Sequence, residues 1–262
     1  MKNILILGAS GTVGQAIYTA LSNTYHVTGT YHRQPAPGLT LWEITDLAGL
    51  DQLIQSTQPH VIISALTGDF DTQLGAHRHL AHAVAGTGAH LIYFSTANVF
   101  DGLVDRPHAE LDTPRPVSLY GQFKLHCEGI VQGENTLIVR IPKVITPAVA
   151  DQFIFGQPVY ENIVASFISP GHIATAIKGA IENRTTGILH LSSQDFMPIP
   201  QALSCLGKTG FDTQPLTLEG YANMMGAQPA DITPAADGQL YLVLASVRGG
   251  TGMTCADVLL PM

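Results

Sequence analysis

Cysteines, long apolar runs and targeting signals are scarce or absent in this chain of 262 residues. Its three cysteines, Cys127, Cys205 and Cys255, are odd in number and lack the spacing of a disulfide framework or a zinc site. No apolar run approaches the roughly 20 residues that cross a bilayer, and the first residues lack the pattern of a signal peptide. We therefore expect a cytoplasmic protein without a membrane partner, in a compartment that keeps thiols reduced.

Basic residues are also few. Lys and Arg number 12 against 20 Asp and Glu, which gives a net charge of −8 and a pI near 5.7. Because a nucleic-acid surface normally needs a basic stripe, we expect no nucleic-acid partner. The densest histidines, His77, His79 and His82, show no metal-ligand spacing, so we predict no metal site and a packed, buried His77.

Apolar runs and amphipathic segments alternate along most of the chain. The runs lie at 4–7, 26–31, 60–64, 90–95, 136–141 and 188–191, and the helix-like segments at 12–23, 47–56, 72–87, 117–133 and 172–182. This alternation predicts an α/β fold with a doubly wound parallel (Rossmann) sheet. From about residue 142, Pro and Gly interrupt the pattern. We expect a dinucleotide-binding Rossmann domain over 1–145 and a small irregular C-terminal substrate lobe over 146–262, interleaved with the last sheet elements.

A glycine-rich turn follows the first apolar run, where residues 7–14 read LGASGTVG. Glycines at this spacing allow a tight turn, close approach of a phosphate and close packing of helix on strand. An ordinary strand-to-helix turn is the alternative, but the apolar residues behind the glycines recur at helical spacing, as the motif requires. We predict that a pyrophosphate is bound by Gly8, Ser10, Gly11, Thr12, Val13 and Gly14.

A second group of polar residues combines a tyrosine, a lysine and a hydroxyl. Tyr120 and Lys124 are four residues apart and share one face of a predicted helix, which Leu119 and Phe123 are expected to hold down. A nearby ammonium lowers the pKa of a phenol, which could then protonate a carbonyl oxygen near neutral pH. Thr96 ends the fourth predicted strand, at the ligand-binding edge of such a sheet. The alternative is an amphipathic helix with a surface lysine and a half-buried tyrosine.

With these segments the chain resembles the extended branch of the short-chain dehydrogenase/reductase superfamily, most closely the dTDP-4-dehydrorhamnose reductases and their sugar-nucleotide-binding relatives. The resemblance extends over roughly residues 1–160 and little matches beyond about 195. The residues that carry it are the three glycines, the segments FSTANVFDG at 94–102 and ELDTPRP at 110–116, Tyr120-Gly121 with Lys124 and Glu128, and Arg140-Ile141-Pro142.

The resemblance implies a role for each polar residue of the second group. Thr96 would hydrogen-bond the substrate carbonyl, Tyr120 would donate the proton, and Lys124 would tune the tyrosine and hold the nicotinamide ribose. The hydride would come from the cofactor. The chain departs from the family at Ala97 and Asn98, where relatives usually have an acidic residue and an aromatic, and this leaves the substrate open.

The second predicted strand ends without a carboxylate, which favours NADP(H) over NAD(H). Arg33 can fork onto a 2′-phosphate with help from His32, although an exposed arginine in a loop is the alternative. Glu43 falls where relatives place a carboxylate near adenine. Further cofactor contacts are predicted at the ends of later strands and on the fourth long helix, at Ser64, Ala65, Leu66, Ser95, Tyr120 and Lys124.

Our leading hypothesis is an NADPH-dependent reductase that acts on a keto group of a nucleotide-activated deoxysugar or a similar polar ketone. One alternative is an NADP-binding regulatory subunit without turnover, and another is a sugar-nucleotide epimerase or dehydratase of the same fold. The 72–87 and 117–133 segments are the candidate interface of a homodimer.

Overall fold

The computed structural model describes residues 1–155, 158–246 and 252–259. The chain forms two compact units, each built from three separate stretches. The first unit comprises Met1–Phe94, His126–Val139 and Ile173–Ile188. The second comprises Ser95–Leu125, Arg140–His172 and the described part of Leu189–Met262. The predicted boundary between residues 145 and 146 stays a prediction.

Strands and helices largely alternate as far as α4, with β2 followed directly by β3. The strands are β1 Asn3–Leu7, β2 His26–Tyr31, β3 Leu39–Leu41, β4 Val61–Ser64, β5 His90–Thr96, β6 Leu103–Val104, β7 Thr136–Ile141, β8 Val159–Tyr160, β9 Ile163–Ala165, β10 Gly187–His190, β11 Met197–Pro198, β12 Thr213–Gln214, β13 Thr233–Pro234 and β14 Leu240–Leu242. The α-helices are α1 Thr12–Ser22, α2 Leu47–Thr57, α3 Phe70–Thr87, α4 Leu119–Val131, α5 Pro147–Phe155, α6 Pro170–Asn183, α7 Ile199–Cys205, α8 Leu218–Met225 and α9 Cys255–Leu259. Short 3₁₀ helices lie at Ala97–Phe100 and Pro229–Asp231.

Seven strands of the described residues form one sheet in the order β10-β7-β5-β4-β1-β2-β3. The pairs β1–β2, β1–β4, β2–β3 and β4–β5 are all parallel. The strand order reverses between β1 and β4, and in doubly wound sheets ligands bind at the carboxyl ends of the strands at such a point. The predicted Rossmann-type α/β fold is confirmed.

The central strands owe their position to continuous apolar sequence. Every residue of β4 and β5 is buried, as are the last four residues of β1, as expected for strands covered on both faces. Aspartates start the helices that follow: Asp46 Oδ1 accepts a hydrogen bond from the Gly49 N–H at 2.8 Å, and Asp69 Oδ1 does the same for Thr72 at 2.9 Å. Such N-caps satisfy backbone donors that would otherwise lack partners.

The second unit has its own core beneath small sheets. One of these sheets has the order β11-β9-β14. The core of the unit includes Val104, Ile145, Leu203, Tyr221 and Val258. Short strands separated by Pro- and Gly-rich segments make up much of this unit, which also includes Ser95–Leu125, outside the predicted lobe over 146–262. None of the helices within the described ranges combines the length and apolar content needed to cross a membrane.

Candidate active site

The predicted pyrophosphate loop joins β1 to α1 at the point where the strand order reverses. The turn is closed by a hydrogen bond from the Gly11 N–H to the Gly8 carbonyl at 3.2 Å, and the Gly8 N–H donates to Thr30 Oγ1 at 3.1 Å. Gly11 caps α1 and has no side chain that could bond the first-turn N–H groups. Those groups carry the positive end of the helix dipole, which suits an anion.

Two of the three glycines are required by close backbone contacts. Gly8 has φ +84°, and a Cβ added there would lie 2.8 Å from the Ala65 carbonyl oxygen. At Gly14 a Cβ would lie 2.2 Å from the Gly8 carbonyl oxygen and 2.9 Å from Ala9 Cα. At Gly11 a Cβ would meet only ordinary contact, 3.5 Å from Gly8 O. The tight bend at Gly8 and the close helix packing at Gly14 therefore exclude a side chain, whereas Gly11 does not require glycine for space.

The residues predicted to select the cofactor lie after β2 and β3 in the first unit. His32 Nε2 lies 2.6 Å from Glu43 Oε2, and both side chains are about half exposed. Arg33 is exposed, and among the described residues it forms no ion pair. His32 is therefore engaged with a carboxylate, while the guanidinium of Arg33 is an exposed positive charge beside it in the chain.

The end of β4 lies next to the glycine turn. The Ala65 N–H donates to the Leu7 carbonyl at 3.0 Å. The hydroxyl of Ser64 is 1% exposed and lies 2.9 Å from Nε2 of His77, which is fully buried on α3. The packed His77 predicted from the sequence is confirmed, and its Nδ1 lies 3.8 Å from the Cys127 sulfur. Leu66 follows as a partly buried residue.

In the second unit, Thr96 and Tyr120 come together although they are separated by 24 positions in the chain. The Thr96 hydroxyl forms a side-chain hydrogen bond with the Tyr120 phenol. Thr96 ends β5 and is 7% exposed, whereas Tyr120 is 44% exposed. The tyrosine ring is therefore partly open to solvent while its hydroxyl meets a buried partner. Ser95, the residue before Thr96, is 3% exposed.

The pKa of Tyr120 is raised above its ordinary value, because burial of the phenol outweighs the lowering effect of the Thr96 hydrogen bond. The sequence predicted a lowered pKa from the Lys124 ammonium, and this expectation is wrong. Desolvation favours the neutral phenol. A neutral phenol is the form that can donate a proton to a carbonyl oxygen.

Lys124 lies one helical turn beyond Tyr120 on α4, as predicted. The side chain is 5% exposed, and its Nζ lies 5.9 Å from the centroid of the Phe123 ring. A lysine buried this far is uncommon and differs from the surface lysine of the alternative interpretation. Leu119, in contrast, is 77% exposed and does not pack the helix down as expected.

Asp101 positions α4, a role that the sequence analysis did not assign. Its Oδ1 accepts a hydrogen bond from the Val117 N–H at 2.6 Å, and its Oδ2 accepts one from the Ser118 hydroxyl. Ser118 Oγ in turn accepts from the Gly121 N–H at 3.0 Å. These bonds fix the start of the helix that carries Tyr120. Asp101 lies within the family-like segment 94–102, so the signal was present but carried no assigned role.

Two other residues of the family-like motifs support the second unit from inside. Glu110 Oε1 accepts hydrogen bonds from the His190 N–H at 3.2 Å and from the Ser246 hydroxyl at 2.6 Å. The guanidinium of Arg140 lies 3.4 Å from His190 Nε2 and 5.2 Å from the centroid of Phe100. Burial lowers the pKa of His190, so the neutral ring accepts the arginine proton. This cluster is structural.

The fold and these residues define the class of protein, a Rossmann-like α/β chain of the extended short-chain dehydrogenase/reductase type. The family model for the RmlD substrate binding domain matches residues 1–148, and the chain belongs to this family.

Two curated relatives each match about half of the chain. Methionine adenosyltransferase 2 subunit beta of Xenopus tropicalis is 35% identical over 156 residues, which are 54% of this chain and 46% of that protein. The dTDP-4-dehydrorhamnose reductase of Mycobacterium tuberculosis is 28% identical over 160 residues, which are 54% of this chain and 47% of that protein. The chain thus spans about half the length of the curated relatives it matches.

Solved structures share the fold over nearly the whole chain. The dTDP-4-dehydrorhamnose reductase of Bacillus anthracis in complex with NADP has a TM-score of 0.76 at 19% identity and covers 99% of this chain and 98% of its own. WbmG of Bordetella bronchiseptica in complex with NAD and UDP has a TM-score of 0.73 at 18% identity. The match covers 98% of this chain and 92% of WbmG. Structural neighbours therefore bind either dinucleotide.

Proposed function

We propose that the chain is an NADPH-dependent reductase of a keto group on a nucleotide-linked deoxysugar. The observation that carries this proposal is the hydrogen bond between Thr96 and Tyr120, with the buried Lys124 one helical turn beyond the tyrosine. A phenol and a second hydroxyl beside a buried ammonium are suited to binding and protonating a carbonyl oxygen. The match to a reductase of this substrate class supports the same conclusion.

The first unit contains the residues that would bind a dinucleotide. The turn at Gly8 to Gly14 would hold the pyrophosphate through backbone N–H groups at the start of α1. Arg33 would bind the ribose 2′-phosphate, which is the basis for proposing NADP(H) over NAD(H). Glu43 would lie near adenine, and its pairing with His32 would hold it in place. When bound, the nicotinamide supplies the hydride.

The residues of the second unit would handle the proton. Thr96 would orient the carbonyl oxygen of the substrate by a hydrogen bond, and Tyr120 would give its phenolic proton to that oxygen as negative charge develops on it. The raised pKa keeps the phenol protonated in the resting protein, as a reduction requires. Lys124 would stabilise the phenolate left after transfer. A proton from solvent would then restore the phenol through its exposed edge.

The test is oxidation of NADPH in the presence of a dTDP-linked 4-keto-6-deoxysugar. We expect one NADPH to be consumed per keto group reduced, and Tyr120→Phe to remove most of the rate. Tyr241→Phe is a matched control, since it deletes a tyrosine hydroxyl whose partner is Asp237, 2.8 Å away. A normal rate in Tyr120→Phe would overturn the mechanism. Turnover without net NADPH loss would favour the epimerase or dehydratase alternative.

A second candidate is a regulatory subunit that binds NADP(H) without turnover. The observation that favours it is the 35% identity to methionine adenosyltransferase 2 subunit beta, a protein named as a subunit. This candidate predicts NADPH binding with no reduction of any keto-sugar, together with co-purification of a larger enzyme. Copurification and inactivity together would select it over the reductase.

A further inference from the structure

The hydroxyl of Thr96 has a complete set of hydrogen bonds. The Asn98 N–H donates to Thr96 Oγ1 at 3.2 Å, and the Thr96 hydroxyl donates its proton to Asn98 Oδ1 at 3.0 Å. A hydroxyl has one proton and two lone pairs. The amide N–H occupies one lone pair and Asn98 takes the proton, so the second lone pair is what remains for the Tyr120 phenol.

We propose that Asn98 is a positioning residue that holds the Thr96 proton and thereby makes Thr96 the acceptor of the hydrogen bond from the Tyr120 phenol. The resting tyrosine is then kept protonated and ready to donate its proton to a carbonyl oxygen. This inference deepens the proposed reductase function and rests on it. Asn98 acts through Thr96 and need not touch the substrate.

The backbone around Asn98 is held firmly enough for this role. Asn98 lies in the 3₁₀ helix Ala97–Phe100, which Thr96 itself caps. A Cβ added at Gly121 would lie 2.3 Å from the Asn98 carbonyl oxygen, so the 3₁₀ helix and α4 are in close contact beside Tyr120.

The effect of Thr96 on the tyrosine depends on which of the two donates. A hydrogen bond donated to the phenolate would lower the pKa of Tyr120, and burial raises it. To donate to the phenolate, Thr96 must give up its bond to Asn98 Oδ1. Asn98 therefore competes with the phenolate for one proton. The charged groups beside the site, Lys124 on the same helix and Asp101 bound to Ser118, are unchanged by substitutions at Asn98.

Two substitutions at Asn98 should move the titration of Tyr120 in opposite directions. Asn98→Leu removes the competing acceptor and frees the Thr96 proton for the phenolate, so the pKa of Tyr120 should fall by about one unit. Asn98→Asp keeps an acceptor and adds negative charge, so the pKa should rise by a comparable amount. The added charge of Asn98→Asp raises the pKa by itself, so the fall in Asn98→Leu is the result that distinguishes the proposal from a purely structural role.

The experiment is a pH titration of phenolate absorbance in the near ultraviolet, made on the intact chain. The chain has 8 tyrosines. Subtracting the titration curve of Tyr120→Phe from that of the unmodified chain leaves the contribution of Tyr120 alone. Thermal melts of each variant establish that it is folded. The key control is the Thr96→Val background, in which Asn98→Leu should leave the Tyr120 titration unchanged because the connecting hydroxyl is gone.

Opposite shifts for the two variants, with the Asn98→Leu shift absent in the Thr96→Val background, support the proposal. Shifts of the same sign, no shift, or an Asn98→Leu shift that survives in Thr96→Val overturn it. Because the titration needs no turnover, its result is separate from the reductase assay. The hydrogen bonds from Asn98 through Thr96 to Tyr120 can exist in a chain that consumes no NADPH, and an active reductase can lack them. In an active reductase, the alkaline limb of kcat/KM should follow the same shifts.

Discussion

Adding a methyl group at Gly14 should damage both the fold and cofactor binding of the first unit. In Gly14→Ala the new Cβ would lie 2.2 Å from the Gly8 carbonyl oxygen and 2.9 Å from Ala9 Cα. Both contacts are backbone atoms, which cannot rotate away as a side chain would. The clash can be relieved only if α1 moves away from the turn or the turn itself changes shape.

The expected cost can be estimated from two opposing effects. Alanine in place of glycine within a helix stabilises by roughly 0.5–1 kcal/mol, while overpacking a tight contact costs typically about 1–3 kcal/mol and sometimes more. Contacts this short between backbone atoms belong at the upper end of that range. We expect the free energy of unfolding to fall by about 2 kcal/mol, and NADPH affinity to fall at least about tenfold because the turn that would hold the phosphates moves.

Urea unfolding followed by circular dichroism measures the first quantity, and fluorescence titration with NADPH measures the second. Gly75→Ala is the matched control, since it is also a helical glycine and a Cβ there has no atom within 4 Å. The control should be more stable than the unmodified chain by up to about 1 kcal/mol and should bind NADPH normally. If Gly14→Ala matched the control in stability and affinity, our account of the glycine turn would be refuted.

Two further predictions concern the charge at Arg33 and the protonation of His90. Arg33→Ala should weaken NADPH binding about tenfold while changing NADH binding little, because the guanidinium would contact the 2′-phosphate. Isothermal titration with both cofactors measures the two affinities, and substitution of the exposed Arg78 by alanine is the control. An equal loss of affinity for both cofactors would contradict this prediction. Burial lowers the pKa of His90, so its contribution to stability is complete above the ordinary histidine pKa and is lost as pH falls through the lowered one. As the pH falls, the urea midpoint should therefore decline less steeply in His90→Gln than in the unmodified chain or in the control His26→Gln. Identical slopes of midpoint against pH in all three proteins would contradict the role given to His90.

The sequence was most informative where periodicity and backbone constraints decide the structure. Continuous apolar runs located the central strands within a residue or two, and the spacing of Gly8 and Gly14 identified a turn whose contacts exclude any Cβ. The sequence analysis did not predict β3. This strand has only three residues, of which one is partly buried and two are exposed, so its sequence shows no hydrophobic alternation long enough to detect.

Tertiary packing decided what the sequence could not. The predicted lowering of the Tyr120 pKa used the helical spacing to Lys124, but the burial of the phenol beside Thr96 has the larger effect. Leu119 fits an apolar stripe and is nevertheless exposed, because α4 begins at that residue and its first turn is fixed by Asp101 and Ser118 instead. Contacts between residues so far apart in the chain leave no local pattern.

The central claim is that Tyr120 donates the proton in an NADPH-dependent reduction of a nucleotide-linked keto-sugar. The most direct measurement is single-turnover oxidation of NADPH with a dTDP-linked 4-keto-6-deoxysugar, with the Tyr120→Phe and Tyr241→Phe variants compared side by side. The account predicts stoichiometric oxidation by the unmodified chain and by Tyr241→Phe, and a rate at least about a hundredfold lower in Tyr120→Phe. Equal rates in all three proteins, or no oxidation by any of them despite tight NADPH binding, would contradict it.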